Sequence, residues 1–124
     1  HPLFGPDSYY EDTQNKIVMH AVHGDSAPFN FWKNYFKKRN ITPIELTPDE
    51  HDRFAARSQG ITHLLGRSLS SMGISKTPID TLGFSRLLGI VDQTCNDSKE
   101  LFEDLQQYNP YTDAVTQELI KTLS

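Results

Sequence analysis

Cysteine is almost absent: Cys95 is the single one in 124 residues, so no disulfide closes within the chain and a multi-cysteine zinc site is excluded. A reducing, cytoplasmic setting is the default for such usage. Long apolar runs are also missing. The longest, such as Ile17-Val18-Met19, are about three residues, where a membrane-crossing helix needs about 20. Positive charge is not in excess, with 12 Lys+Arg against 16 Asp+Glu and a formal net charge of -4, so the chain lacks the footprint that neutralises phosphates. Neither a membrane nor a nucleic acid is an expected partner. The seven glycines form no GxGxxG dinucleotide loop and no P-loop, and neither GxSxG nor HExxH occurs. The first residues, His1-Pro2-Leu3-Phe4-Gly5-Pro6, have no initiator Met, no basic n-region and no apolar h-region. They read as neither a signal peptide nor a translation start, and the chain is expected to be a piece of something longer.

What is present is a globular composition, 36% hydrophobic and 23% charged, the size of one ordinary domain. That hydrophobic fraction is modest for a unit burying its own core, which points to a partner surface, a second copy or a further domain. Residues 1–46 read as α/β. Lys16 to Val22 is a short β-branched and apolar stretch and predicts a strand. Gly24-Asp25-Ser26 turns the chain, and a helix from about Pro28 carries Phe29, Phe31, Trp32, Tyr35 and Phe36 as its packing face, ending in the Lys37-Lys38-Arg39-Asn40 cluster. Ile41 to Leu46 predicts a second strand, at an edge because Pro43 cannot donate to a ladder.

From Thr47 onward the pattern is helical. Thr47-Pro48-Asp49-Glu50 combines a capping hydroxyl, Pro at the first helical position and a Glu three residues on, a capping box. It predicts one long helix to about Met72, ended by Gly73 and weakened at Gly60 and Gly66. Ser75 to Thr81 is a connector. Further helices are expected over Thr81 to Asp92, Ser98 to Tyr108 behind an Asn96-Asp97-Ser98 cap, and Thr112 to Leu123, with Asn109-Pro110 forcing a corner.

On the long helix, Phe54, Ile61, Leu65 and Met72 fall on one side and predict a core face. Gln59, His63 and Arg67, at i, i+4 and i+8, form a polar stripe on the other. Such a stripe is either a solvated face or a site for a small polar anion, because amide, imidazole and guanidinium share it. His20-x-x-His23 lies on or after a strand, where residues three apart face opposite ways, so a shared metal is not expected. His51 beside Asp52 reads as an exposed first-turn pair, and a metal set of His20, His23 and His51 ranks far behind other readings. Cys95 has no electropositive surroundings and reads as structural.

Taken together these segments resemble a family. His1-Pro2-Leu3-Phe4-Gly5-Pro6 is similar to the HPMFGP or HPIAG element of prephenate and arogenate dehydrogenases, the enzymes of tyrosine biosynthesis. Glu50-His51-Asp52-Arg53, Ala55-Ala56, Ser58-Gln59-Gly60-Ile61-Thr62-His63 and Gly66-Arg67 resemble the EHDR…SQFITHxxGR helix of the plant-like arogenate branch. Thr77-Pro78-Ile79-Asp80-Thr81 and Tyr108-Asn109 fit the same branch in the same order.

The resemblance implies a mainly α chain. Residues 1–46 would be the C-terminal remnant of a nucleotide-binding α/β domain, and residues 47–124 a helical substrate-binding and homodimerisation domain like the C-terminal domain of 6-phosphogluconate dehydrogenase. The implied reaction transfers hydride from a hydroxyl-bearing ring carbon to NAD or NADP, while a base takes the hydroxyl proton and the ring loses carbon dioxide. His1 corresponds to the family's base, and an ordinary imidazole suits that task at neutral pH. His63 is implied to face prephenate or arogenate, with Gln59 beside it. Gly60 stands where the bacterial branch has a histidine, and the cation for the substrate carboxylate is Arg67 or Arg86. The cofactor-binding loop is not in the chain. The alternative from another class is a non-catalytic helical dimerisation or interaction module.

Overall fold

Strands β1 (Asn15–Met19) and β2 (Ile41–Glu45) pair in parallel, with Asn15 opposite Ile41 and Met19 opposite Glu45. A parallel pair needs a crossover, which helix α1 (Ser26–Lys37) provides. The computed structural model describes residues 1–5, 9, 15–21 and 26–124, and these form two compact units, His1–His51 and Asp52–Ser124. Val22, His23, Gly24 and Asp25, part of the expected first strand and its turn, lie outside the described residues. On the other side of β1 the segment His1–Leu3 runs antiparallel. The Val18 amide donates to the His1 carbonyl, the His1 nitrogen donates to the Val18 carbonyl (both 2.8 Å), and the Leu3 amide donates to Lys16 (2.9 Å). Pro43 sits opposite Ile17 on β2, whose outer side forms no ladder among the described residues.

Helix α1 ends at Lys37, and Asn40 follows with φ 61°, the left-handed conformation that asparagine tolerates after a helix. The aromatic packing face expected on α1 is corrected. No α1 residue is buried, and Phe31 and Trp32 are 62% and 48% exposed. Phe29 and Phe36 are half-buried. The remaining rings cover one another, Trp32 lying 5.3 Å from Tyr35, while the Arg39 guanidinium sits 3.7 Å over the Tyr35 ring.

Helix α2 (Pro48–Ala55) starts from the predicted capping box. The Thr47 amide donates to Glu50 Oε2 (2.9 Å) and the Glu50 amide to Thr47 Oγ1 (3.2 Å). The single long helix expected to Met72 is corrected: a π-helical turn, Ala56–Gly60, separates α2 from helix α3 (Ile61–Ser71). The hydroxyls of Ser58 and Thr62 donate to the carbonyls of Phe54 (2.7 Å) and Ser58 (3.0 Å) across this turn. A π turn holds one residue more than an α turn, so it rotates the next helix by about 100°. That rotation removes Phe54 from the face of Ile61 and Leu65. Phe54 and Met72 are 60% and 74% exposed, and the buried positions are instead the small residues Ala55, Ala56, Gly60 and Gly66.

Helix α4 (Leu82–Asn96) is capped by Thr81, whose hydroxyl accepts from the Phe84 amide (3.2 Å), and it runs one turn past the expected end at Asp92. Ser98 caps helix α5 (Lys99–Gln107) by accepting from Leu101 (3.1 Å). Helix α6 has the expected bounds, Thr112–Leu123. At the corner before it, Asn109 Nδ2 donates to the Asp52 carbonyl (2.8 Å) and Asn109 Oδ1 accepts from the Tyr111 amide (3.0 Å). The chain is thus mainly α, as its sequence suggests. In the second unit α3 packs closely against α4 at Gly66. A Cβ on Gly66 would lie 2.0 Å from Thr94 Oγ1 and 3.0 Å from Thr94 Cβ. Thr94 is 2% exposed, and its hydroxyl donates to Ile90 (2.9 Å) and Val91 (3.2 Å).

Gly66→Ala sets about 1 kcal/mol of gained helix propensity against the larger cost of overpacking, roughly 1–3 kcal/mol. Rotating the threonine would relieve the clash with its hydroxyl but not the one with its Cβ. A net loss of up to about 2 kcal/mol is expected in thermal or urea denaturation, largely recovered in the Gly66→Ala/Thr94→Ala double variant.

Candidate functional site

The turn of α3 from His63 to Arg67 faces the junction of α4 and α5. His63 Nε2 lies 3.4 Å from Asp97 Oδ2, with the histidine side chain 13% exposed. One turn on, Arg67 Nη2 donates to the carbonyls of Asp97 (2.6 Å) and Ser98 (3.1 Å), and the guanidinium lies 5.2 Å from the Phe102 ring centre. Gly66 lies between them in the sequence and allows this close packing. The rotation at the π turn brings the polar stripe inward: His63 and Arg67 are packed, not solvated. Gln59 is half-buried within the π turn.

Two nitrogens of this group are left over. His63 Nδ1 and Arg67 Nε are buried and have no hydrogen-bond partner. An Nε2–H directed at Asp97 leaves Nδ1 as an acceptor, while Arg67 Nε–H is a cationic donor. Such a pair suits a ligand that presents a hydroxyl or ammonium near a carboxylate. Burial lowers the His63 pKa, Asp97 opposes that, and Arg67 adds to it, so the net shift is below the ordinary 6.5 and the ring is neutral at pH 7.

The second cluster is in the first unit. His1 Nδ1 lies 2.7 Å from His51 Nε2, and the two rings meet edge to face at 4.9 Å between centres. Backbone pairing with Val18 fixes His1, and the His51 amide donates to the Thr47 carbonyl (2.9 Å) within the capped first turn of α2. His1 also lines a cavity of about 540 Å³ with Val18, Phe29, Trp32 and Phe36. His20 follows β1 and lines the same cavity, and His23 lies outside the described residues. Among the described residues no three His, Cys, Asp or Glu side chains converge as a metal site. Arg86 is exposed on α4 and takes no part in the bonds around His63 and Arg67, and Cys95 is exposed.

Two partners escape sequence reasoning. Asp97 reads as part of a helix cap but turns its carboxylate to His63, 34 positions earlier, and no local pattern signals that. His51 reads as an exposed first-turn residue. Its only signal is the motif it shares with Glu50, Asp52 and Arg53.

The family model described as "TYRAAT1-like, C-terminal domain" matches residues 68–124. Arogenate dehydrogenase 2, chloroplastic, of Arabidopsis thaliana is 36% identical over 116 residues, an alignment covering 89% of this chain and 32% of the relative. Arogenate dehydrogenase 1, chloroplastic, of the same plant is 35% identical over 116 residues. A probable arogenate/prephenate dehydrogenase of Methanocaldococcus jannaschii is 27% identical over 122 residues, covering 89% of the chain and 26% of the relative. The relatives are dehydrogenases by name, and this chain spans a third of their length or less. Over most of its length the chain is thus similar to part of the arogenate/prephenate dehydrogenases.

His63 is expected to titrate below pH 6.5 in the folded chain, chiefly because burial disfavours its cation. The unfolded chain then takes up this proton at higher pH than the folded one. The residue's contribution to stability is therefore present above about pH 6.5 and is lost as the pH falls through the folded value. Asp97→Asn removes the opposing anion and is expected to lower the His63 pKa further. Imidazole NMR titration of both proteins checks this, and a raised value in the variant would contradict the arrangement.

Proposed function

We propose that the chain is part of a dehydrogenase that oxidises and decarboxylates prephenate or arogenate with NAD or NADP in tyrosine biosynthesis. Residues 47–124 supply substrate binding and dimerisation, and residues 1–46 the end of the nucleotide-binding domain. The observation that carries this is the pair of buried, unpartnered nitrogens one turn apart on α3, His63 Nδ1 and Arg67 Nε. Buried polar atoms without partners cost stability, and a ligand bearing a carboxylate beside a hydroxyl or amine would satisfy both. Gln59 lies next along the same helix, and Arg86 is a second cation for the outer end of the substrate.

His1 is the base in this reading. Its imidazole takes the proton of the ring hydroxyl as the carbon bearing it is oxidised, and release of carbon dioxide leaves the ring aromatic. The residues of this chain do not fit a dinucleotide cradle: the β1–α1 connection has one glycine, Gly24, where a pyrophosphate loop uses three. NAD or NADP therefore belongs to other parts of the enzyme. The lone cysteine fits a reducing compartment, the cytoplasm in this reading. No helix among the described residues is long and apolar enough to cross a membrane.

Homodimerisation is part of the same proposal. Met72, Leu82, Ile120 and Leu123 are 74%, 69%, 52% and 73% exposed on the helical unit, and a second copy would cover such side chains. Sedimentation equilibrium is expected to give twice the mass of one chain, and a monomer across the micromolar range would refute it.

In the full-length enzyme His63→Ala is expected to lower kcat/KM on the order of 10–100-fold, the worth of one hydrogen bond to a charged or polar substrate group. Its melting temperature is expected to stay within a few degrees. Unchanged kinetics would sink the assignment and favour the non-catalytic helical module.

A further inference from the structure

The contact between His1 and His51 joins two residues 50 positions apart, each held by backbone. His1 is paired on both its nitrogen and its carbonyl with Val18 of β1. His51 sits in the first turn of α2, which the Thr47–Glu50 box closes. The backbones that carry the two rings are thus fixed, and 2.7 Å between Nδ1 and Nε2 is hydrogen-bond distance. Two imidazoles at that separation share one proton, and which nitrogen carries it sets the tautomer of both.

A histidine that takes a proton needs one nitrogen bare and aimed outward. If His1 donates through Nδ1–H, its Nε2 carries a lone pair and points away from His51. His51 must then be the acceptor at Nε2, with its own proton on Nδ1. The opposite arrangement would leave His1 with Nε2–H and no outward lone pair. An isolated neutral imidazole favours Nε2–H, so the productive form requires an acceptor at Nδ1, and His51 is placed to be one. We propose that His51 is a positioning residue that accepts the Nδ1–H of His1 and thereby holds the His1 Nε2 lone pair outward as the base. This rests on the reading of His1 under Proposed function, and it assigns a role to the histidine of the Glu50-His51-Asp52-Arg53 stretch. The logic is that of a general base oriented by a third group, with an imidazole in the place usually taken by a carboxylate.

The test has two parts. In the 124-residue chain, long-range ¹⁵N–¹H spectra of the imidazoles at a pH where both rings are neutral report the tautomers directly. His1 is expected as Nδ1–H in the parent and in His51→Gln, whose side-chain oxygen reaches the place of Nε2. It is expected as Nε2–H in His51→Leu, which offers no acceptor. In the full-length enzyme, His51→Leu is expected to lower kcat on the order of 10–100-fold, part of what general base catalysis contributes, with KM changed less than about 2-fold. His51→Gln is expected to restore most of the rate. A parent His1 in the Nε2–H form overturns the proposal, and so does an undiminished kcat in His51→Leu when His1→Asn is inactive. A fully active His1→Asn instead overturns the reading of His1 as the base, and this proposal with it.

Discussion

Five residues, Ala56–Gly60, hydrogen-bonded one step looser than an α-helix, decide what the helical unit buries. Had α2 and α3 formed one regular helix, Phe54 would share a side with Ile61 and Leu65. The extra residue rotates α3 by about 100° relative to that pattern, bringing the small residues to the inside. Ala56 and Gly60 are buried in the turn itself and Gly66 one turn beyond His63. At Gly66 the missing side chain makes room for Thr94 of α4. Because α3 lies so close to α4, side chains on either side of Gly66 reach the α4–α5 junction, and that is where His63 meets Asp97 and Arg67 meets two carbonyls.

This packing has an energetic consequence. Arg67 donates to the carbonyl of Asp97, the C-cap of α4, and to that of Ser98, which also accepts from the Phe102 amide in the first turn of α5. A charge-assisted bond of this kind is worth more than a neutral one. Yet the same packing leaves His63 Nδ1 and Arg67 Nε buried without partners, each at a desolvation cost of roughly 1–3 kcal/mol. Apolar side chains of similar volume at these positions would avoid that cost.

Much of the architecture is legible in the sequence because its signals are local. The Thr47–Glu50 box, the Thr81 and Ser98 caps, the Asn109-Pro110 corner and the bounds of α6 depend on residues within a turn or two of one another. The β-branched stretches around Ile17 and Ile44 likewise announce two strands with a helix between them, and the structure pairs them in parallel. The π turn is not legible, because its hydrogen-bond slip depends on how α3 packs and leaves no mark in the spacing of apolar residues. For the same reason Phe54 leaves the core face assigned to it, whereas Met72 lies beyond the slip and is exposed as the C-cap of α3. His63 and Arg67 keep their spacing of one helical turn because both lie after the slip. Asp97 is invisible for a different reason: its partner is on another helix, and only the folded chain brings the two together.

The two histidine clusters illustrate how differently one residue type is tuned. His63 is packed beside an anion and a cation, and burial outweighs the anion, so its ring is kept neutral and serves as a fixed polar contact. His1 and His51 are held by backbone at hydrogen-bond distance, and their shared proton matters more than their burial. A neutral imidazole can donate at one nitrogen and accept at the other, so what it does depends on which nitrogen a neighbour occupies. At His63 that neighbour is a carboxylate facing Nε2, which turns the acceptor to the buried side. At His1 it is a second imidazole facing Nδ1, which turns the other nitrogen outward. The fold thus assigns opposite nitrogens to the two rings by where it places Asp97 and His51, and neither placement is encoded near the histidine it governs.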